Sequence, residues 1–217
     1  MKEEIQILHV LTLFLLITSC NNDCGKPGLS HNSNAQEFAK IIPKPRNGGI
    51  NYSYKMIQEY TKQAKLDTIE NGFDSLFIRV WYHSSDTVRV LDLKNKDGGW
   101  KGKIHKIISN ETRDSIKVLD IMSEECIPKS GWDLFMKKIF LLEILTLSDF
   151  SELPIYNTPM DGLFLDVEIS SITKYRMYTY SIPHKTGEIK EARNIEQIMK
   201  VIENEFGILS LDKYYFQ

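Results

Sequence analysis

The chain has little of what usually announces a chemistry. Its 217 residues include 3 cysteines and 5 histidines, and none are spaced as Cys-x-x-Cys or His-Glu-x-x-His. That leaves no seed for a zinc site. There is no Gly-x-Ser-x-Gly turn, so the strained nucleophile elbow of the α/β-hydrolases is absent. Charge of one sign is not in excess: the formal net charge is −2, and no basic run is interleaved with aromatics. Neither nucleic acid nor an anionic surface therefore finds a global electrostatic partner. No apolar run reaches the about 20 residues that a membrane-crossing helix needs. No internal repeat is visible, so the solenoid architectures drop out.

What is present is concentrated at the N-terminus. Ile5 to Ser19 reads IQILHVLTLFLLITS, apolar and without a charged residue. As a helix it would span roughly 20 Å, short for a membrane crossing and typical of a secretory signal. Leu16-Ile17-Thr18-Ser19-Cys20 follows at once. This resembles the bacterial lipobox, an aliphatic residue and two small ones before a cysteine. The resemblance implies cleavage before Cys20 and acylation of its thiol. Several acyl chains, at about 0.8 kcal/mol per buried methylene, hold a protein to a bilayer far more firmly than one. One feature departs from a signal peptide: Lys2 is followed by Glu3 and Glu4, so the start is not clearly positive. Asn21 is not the aspartate that marks inner-membrane retention, so the resemblance points to the outer membrane.

Residues 20–34 read CNNDCGKPGLSHNSN, too polar and too rich in Asn, Gly and Ser to bury a core. The expected organisation is a signal peptide over 1–19, a flexible tether over 20–49 and one domain over 50–217. After lipidation two cysteines remain, Cys24 and Cys126. A disulfide between them would close a loop of about 100 residues and contribute a few kcal/mol. Nothing in the tether fixes Cys24 opposite Cys126.

Beyond the tether, the period of the apolar residues assigns the elements. Ala35 to Ile42 is expected as a short helix stopped by Pro43 and Pro45. Tyr54, Ile57, Tyr60 or Thr61, and Ala64 recur at helical spacing, which predicts a helix from Ser53 to about Ile69. The period then changes to two. SLFIRVWYH, TVRVLDL, WKGKIHKII and SIKVLDI, separated by polar turns, predict a four-strand antiparallel meander from Ser75 to Ile121. Ser130 opens a capping-box-like Ser-Gly-Trp-Asp before an apolar helix from Trp132 to about Leu145. Leu163–Ile169 and Lys174–Ile182 predict a hairpin. Glu191–Phe206 predicts an amphipathic helix capped by Gly207. The fold class that follows is α+β, an antiparallel sheet made of the meander plus the hairpin, with helices packed on one face.

The stretches GFDSLFIRVWYH, SGWDLFMKKI and YRMYTYSIPHKTGEIKEARNIEQIMKVIENEFG, behind that lipobox, are similar to small lipoproteins of the Bacteroidota type over about residues 50–207. The resemblance implies an envelope protein and carries no catalytic residues. Asp67-Thr68-Ile69, Asp74-Ser75-Leu76, Asp86-Thr87-Val88 and Asp114-Ser115-Ile116 resemble the O-glycosylation acceptor of exported proteins in that group. They are also ordinary turn chemistry.

Candidate chemistry is sparse. His83-Ser84-Ser85-Asp86 holds the residue types of a hydrolytic triad, but triad groups converge in space, and a polar hairpin tip accounts for them. His31, His83, His105 and His184 are scattered, so no metal ligand set is expected. Asp161, Asp166 and Glu168 offer an acid–base pair or a Ca²⁺ site. The plainer reading puts Asp166 and Glu168 on the solvent face of the hairpin. Trp100, Arg176, Tyr178 and Tyr180 form the aromatic and cationic set best suited to stack on sugar rings or anchor a protein. Core packing explains the same residues. The expectation is therefore a lipid-anchored envelope protein, a binding module without cofactor whose partner is an envelope protein or a glycan. An inhibitor or immunity-type protein against a secreted toxin is the alternative, and a carboxylate-dependent hydrolase the third.

Overall fold

A computed structural model describes residues 37–44, 51–83, 87–112, 115–153, 163–182 and 189–208. The signal segment, Cys20, Cys24, the tether up to residue 36, Asp161 and the loop 84–86 lie outside the described residues.

The strand-period segments form one seven-stranded sheet. Strand β2 (Leu76–His83), β3 (Thr87–Lys96), β4 (Gly99–Glu111) and β5 (Ile116–Cys126) make the antiparallel meander. The hairpin β6 (Leu163–Ser171) and β7 (Lys174–Ile182) adds to the free edge of β2, with Arg79 opposite Glu168 and Trp81 opposite Asp166. A short strand β1 (Ala39–Ile41) pairs with β7 in parallel, giving the order β1-β7-β6-β2-β3-β4-β5. The helices are α1 (Tyr52–Gln63), α2 (Trp132–Leu141) and α3 (Lys190–Phe206). The α+β class and the antiparallel sheet expected from the sequence are what is seen.

Three expectations are corrected. Ala39–Ile41 is a strand, not part of a helix. The segment is too short to nucleate a helix before Pro43, whereas register with Lys174, Tyr175 and Arg176 satisfies its backbone at once. Ser130 makes no capping box. The N-cap of α2 is Gly131 at φ 81°, and the Ser130 amide instead donates to Glu205 Oε2 of α3 at 2.8 Å. Glu205 also accepts from Lys138 Nζ at 2.9 Å, so one carboxylate joins α3 to both ends of this corner.

The helices, third, do not share a face. Strand β2 alternates, with Ile78, Val80 and Tyr82 turned to one side and Phe77, Arg79 and Trp81 to the other. The first set packs with Leu91, Leu93, Leu165, Val167, Tyr178 and Tyr180 under α2 and α3, through Phe135, Ile139, Ile195, Ile198 and Ile202. The second packs with Val88, Val90, Ile107, Tyr175 and Met177 under α1, through Ile57, Tyr60 and Ala64. A sheet apolar on both sides needs cover on both, and α1 supplies the second layer.

Close packing at the start of α2 depends on one glycine. A methyl group on Gly102 would stand 2.7 Å from both Cys126 Sγ and Trp132 Cη2. The bare backbone of β4 therefore lets the indole and the thiol seat against the sheet.

Candidate functional site

The face beneath α1 carries a row of buried charges. Arg79, Asp92, Asp166 and Glu168 are each at most 2% exposed. Cross-strand register assembles them: Arg79 lies opposite Asp92 on β3 and opposite Glu168 on β6. The guanidinium takes Asp92 in a two-pronged pair, Nε to Oδ1 at 2.6 Å and Nη2 to Oδ2 at 3.0 Å. Glu168 Oε2 is farther away, 3.8 Å from Arg79 Nη1, and accepts instead from Trp81 Nε1 at 2.7 Å. Its Oε1 accepts from the Tyr175 hydroxyl at 2.7 Å.

The electrostatics follow this division. Burial pushes the Asp92 carboxyl up, but the Arg79 charge and the hydrogen bonds around it win and hold it at about 2. Burial also pushes Glu168 up, and here Arg79, Trp81 and Tyr175 do not offset it, so its carboxyl stays above the ordinary range. Burial pulls the Arg79 guanidinium down, yet Asp92 and Glu168 together keep it above its usual value. Arg79 is thus committed to Asp92, and Glu168 is a hydrogen-bond acceptor for two aromatic donors.

The row also ties down the connection that follows α1. Arg79 Nη1 donates to Asp67 O at 3.0 Å, and Ser170 Oγ donates to Ile69 O at 2.6 Å. Toward the end of β2, His83 Nε2 stands 3.0 Å from Asp166 Oδ2, off the line of a hydrogen bond, while Thr179 Oγ1 donates to Asp166 Oδ1 at 2.5 Å. His105 Nδ1 meets Ser123 Oγ at 2.8 Å. The reading of Asp166 and Glu168 as a solvent face is therefore overturned. Both sit inside, and neither presents an oxygen to an open surface. Among the described residues no three His, Cys, Asp or Glu side chains are placed to hold a metal ion.

The aromatic set is also relocated. Tyr178 and Tyr180 are buried, and their hydroxyls donate to Ile144 O at 2.8 Å and Ser148 O at 2.7 Å. Arg176 donates to Leu145 O and Leu147 O at 2.7 and 2.6 Å. Three side chains of β7 thus fasten the turn that leaves α2, satisfying carbonyls that would otherwise be orphaned. Trp100 is half-buried, its ring centroid 6.0 Å from that of Phe140. Tyr178 and Tyr180 are therefore core and loop anchors and present no exposed ring to a ligand, while Trp100 and Arg176 stay half-buried. Cys126 is a half-buried free thiol, pushed up to about 12 chiefly by burial, and its expected partner Cys24 lies outside the described residues.

An open concavity lies elsewhere, between α1 and the β4–β5 turn. It is a groove of about 290 Å³ lined by Tyr52, Lys55, Met56 and Glu59 of the helix and by Thr112, Ser115 and Ile116 of the turn. Its two walls are bolted together. The Tyr60 hydroxyl bonds to Ser109 Oγ at 2.7 Å and to the Glu111 carboxylate. Gln63 mimics a strand neighbour, donating to Ile116 O at 2.6 Å and accepting from Val118 N at 2.9 Å. No sequence signal marked this groove, because its walls come from segments about fifty residues apart.

No family model matches the chain, and no similar curated protein was found.

Proposed function

We propose that the chain is an exported lipoprotein, acylated at Cys20 and held at the outer membrane, whose folded domain is a non-enzymatic binding module for an envelope partner or glycan. The observation that carries the anchor is the apolar run Ile5–Ser19 ending in Leu-Ile-Thr-Ser-Cys, followed by a polar stretch that cannot bury a core. Two structural facts support binding over catalysis. The carboxylates with the best claim to acid–base work, Asp166 and Glu168, are buried inside the sheet, where both Glu168 oxygens accept from aromatic donors and Asp166 Oδ1 accepts from Thr179. The groove beside α1, by contrast, is open, and Gln63 ties its helix wall to the start of β5. Fractionation of cells expressing the native chain and Cys20→Ala tests the anchor. The native protein is expected in the membrane pellet and the variant in the soluble fraction. A variant that still pellets and is still cut at the same place overturns the proposal.

A further inference from the structure

A line of polar side chains crosses the meander from the core to its outer edge. Arg79 on β2 and Asp92 on β3 are 0% and 2% exposed, His105 on β4 is 5% exposed, and Ser123 on β5 is open to solvent. Register builds the line. Arg79 lies opposite Asp92, and His105 lies opposite Ser123, with Asp92 diagonal to it on the same face. The imidazole therefore stands between a carboxylate and a hydroxyl. Its Nδ1 is 2.8 Å from Ser123 Oγ, and its Nε2 is 3.4 Å from Asp92 Oδ2. Asp92 is ionised, since the pair with Arg79 holds its carboxyl at about 2, and a carboxylate only accepts. The proton of a neutral imidazole is thus favoured on Nε2, which leaves the Nδ1 lone pair to accept from the Ser123 hydroxyl. Arg79 fixes the carboxylate from the far side with two hydrogen bonds. The 3.4 Å contact is longer than a hydrogen bond, and such contacts tighten when charge develops on the ring.

We infer that Ser123 is a nucleophile, with His105 as its general base, and that it accepts an acyl group from a small activated ester. Ser123 Oγ attacks the ester carbonyl carbon while its proton passes to His105 Nδ1. The imidazolium that forms is stabilised by Asp92 across the ring. Negative charge gathers on the former carbonyl oxygen. Lys103, two residues before His105 on the same face and exposed, is the cation in diagonal register with Ser123. Its cross-strand neighbours Asp92 and Glu125 make no ion pair with it, so its ammonium is available to that oxygen. The adduct then collapses. The bond to the leaving alcohol breaks, its oxygen takes the proton back from Nδ1, and Ser123 is left as an ester. The donor arrives from solution, because Ser123 stands on the edge strand of the sheet. The inference goes beyond the binding-module reading and does not depend on it: one transfer onto the chain marks the module without turnover.

The test treats the full chain in detergent at pH 8 with 4-nitrophenyl acetate and maps acetylated peptides over time by mass spectrometry. Ser75 is the internal control, an exposed hydroxyl that donates to Asn95 Oδ1 and has no imidazole partner among the described residues. Ser123 is expected to be acetylated about tenfold or more faster than Ser75. That is below the roughly 10²–10⁴-fold of a fully aligned base, because the Asp92 contact is long. Unfolding in urea is expected to erase the difference. His105→Gln keeps a hydrogen-bonding group beside Ser123 but supplies no base. It is expected to bring Ser123 down to the Ser75 rate, with circular dichroism checking that the fold is kept. The comparison of the two serines in the native chain decides even where that variant fails to fold. Equal rates at the two serines in the native chain, a difference that survives urea, or an unchanged Ser123 rate in folded His105→Gln overturns the inference.

Discussion

The buried pair of Arg79 and Asp92 makes a sharp prediction. Asp92→Asn keeps the size of the side chain and removes its charge, leaving the guanidinium inside the protein with the Glu168 carboxyl 3.8 Å away. Breaking one partner out of a buried pair costs about 3–5 kcal/mol, because the survivor stays desolvated. Glu168 can ionise toward Arg79, so the lower end, about 3 kcal/mol, is expected. For a domain of this size that lowers Tm by about 6–12 °C. A second route to the magnitude uses linkage. The Asp92 carboxyl sits at about 2 against an ordinary 3.8, a gap equivalent to about 2 kcal/mol. Its depressed value means that this stability is present above pH 3.8 and is lost as pH falls through about 2. Glu168 works in the opposite sense: its raised value means that its contribution is present below the ordinary 4.5 and is lost as pH rises through the folded value. Urea unfolding followed by circular dichroism at pH 7 measures the cost. The double substitution Arg79→Met with Asp92→Leu removes both charges and is expected to recover most of it. A loss under about 1 kcal/mol for Asp92→Asn, or a double variant no better than the single, would refute the reasoning.

Three other outcomes follow from the packing. Gly102→Ala is expected to cost about 1–3 kcal/mol, since its methyl meets Cys126 Sγ and Trp132 Cη2 at 2.7 Å, and Cys126→Ala in the same chain should return part of that in a thermal melt. Tyr178→Phe strips the hydrogen bond to Ile144 O and is expected to cost about 1 kcal/mol in urea unfolding; an unchanged midpoint would show that this bond does not fasten the turn after α2. With its thiol pushed up to about 12, Cys126 should react with a maleimide at pH 8 far more slowly in the native protein than after unfolding, and equal rates would show the burial to be wrong.

Much of the fold is legible in residue order. Strands β2 to β7 declare themselves by alternation, and α3 by its amphipathic stripe and Gly207, which takes up the left-handed cap at φ 69°. The layer arrangement is legible too, although the expectation above puts all the helices on one face. Phe77 and Trp81 flank Arg79 on the face opposite Ile78 and Val80, and two large apolar side chains on each face require cover on both. What no sequence pattern gives is the partner of a buried charge. Arg79, Asp92 and Glu168 are each a polar residue in an alternating strand, the usual mark of a solvent face. The β2–β3 register sets Arg79 opposite Asp92, and the docking of β6 on β2, across a connection that includes α2, brings Glu168 to the pair. The expected solvent face for Glu168 fails for the same reason. Alternation says that two residues face opposite ways; it does not say which way is covered. The groove was invisible because it depends on where α1 lies against the β4–β5 turn.

The central claim is that the working protein begins at a lipidated Cys20. Mass spectrometry of the N-terminal peptide, taken from protein purified out of membranes of a bacterium that processes lipoproteins, tests it most directly. The account expects a peptide starting at Cys20 that carries a diacylglyceryl group on the thiol. A peptide that retains Met1, or one that starts elsewhere with Cys20 unmodified, would contradict it.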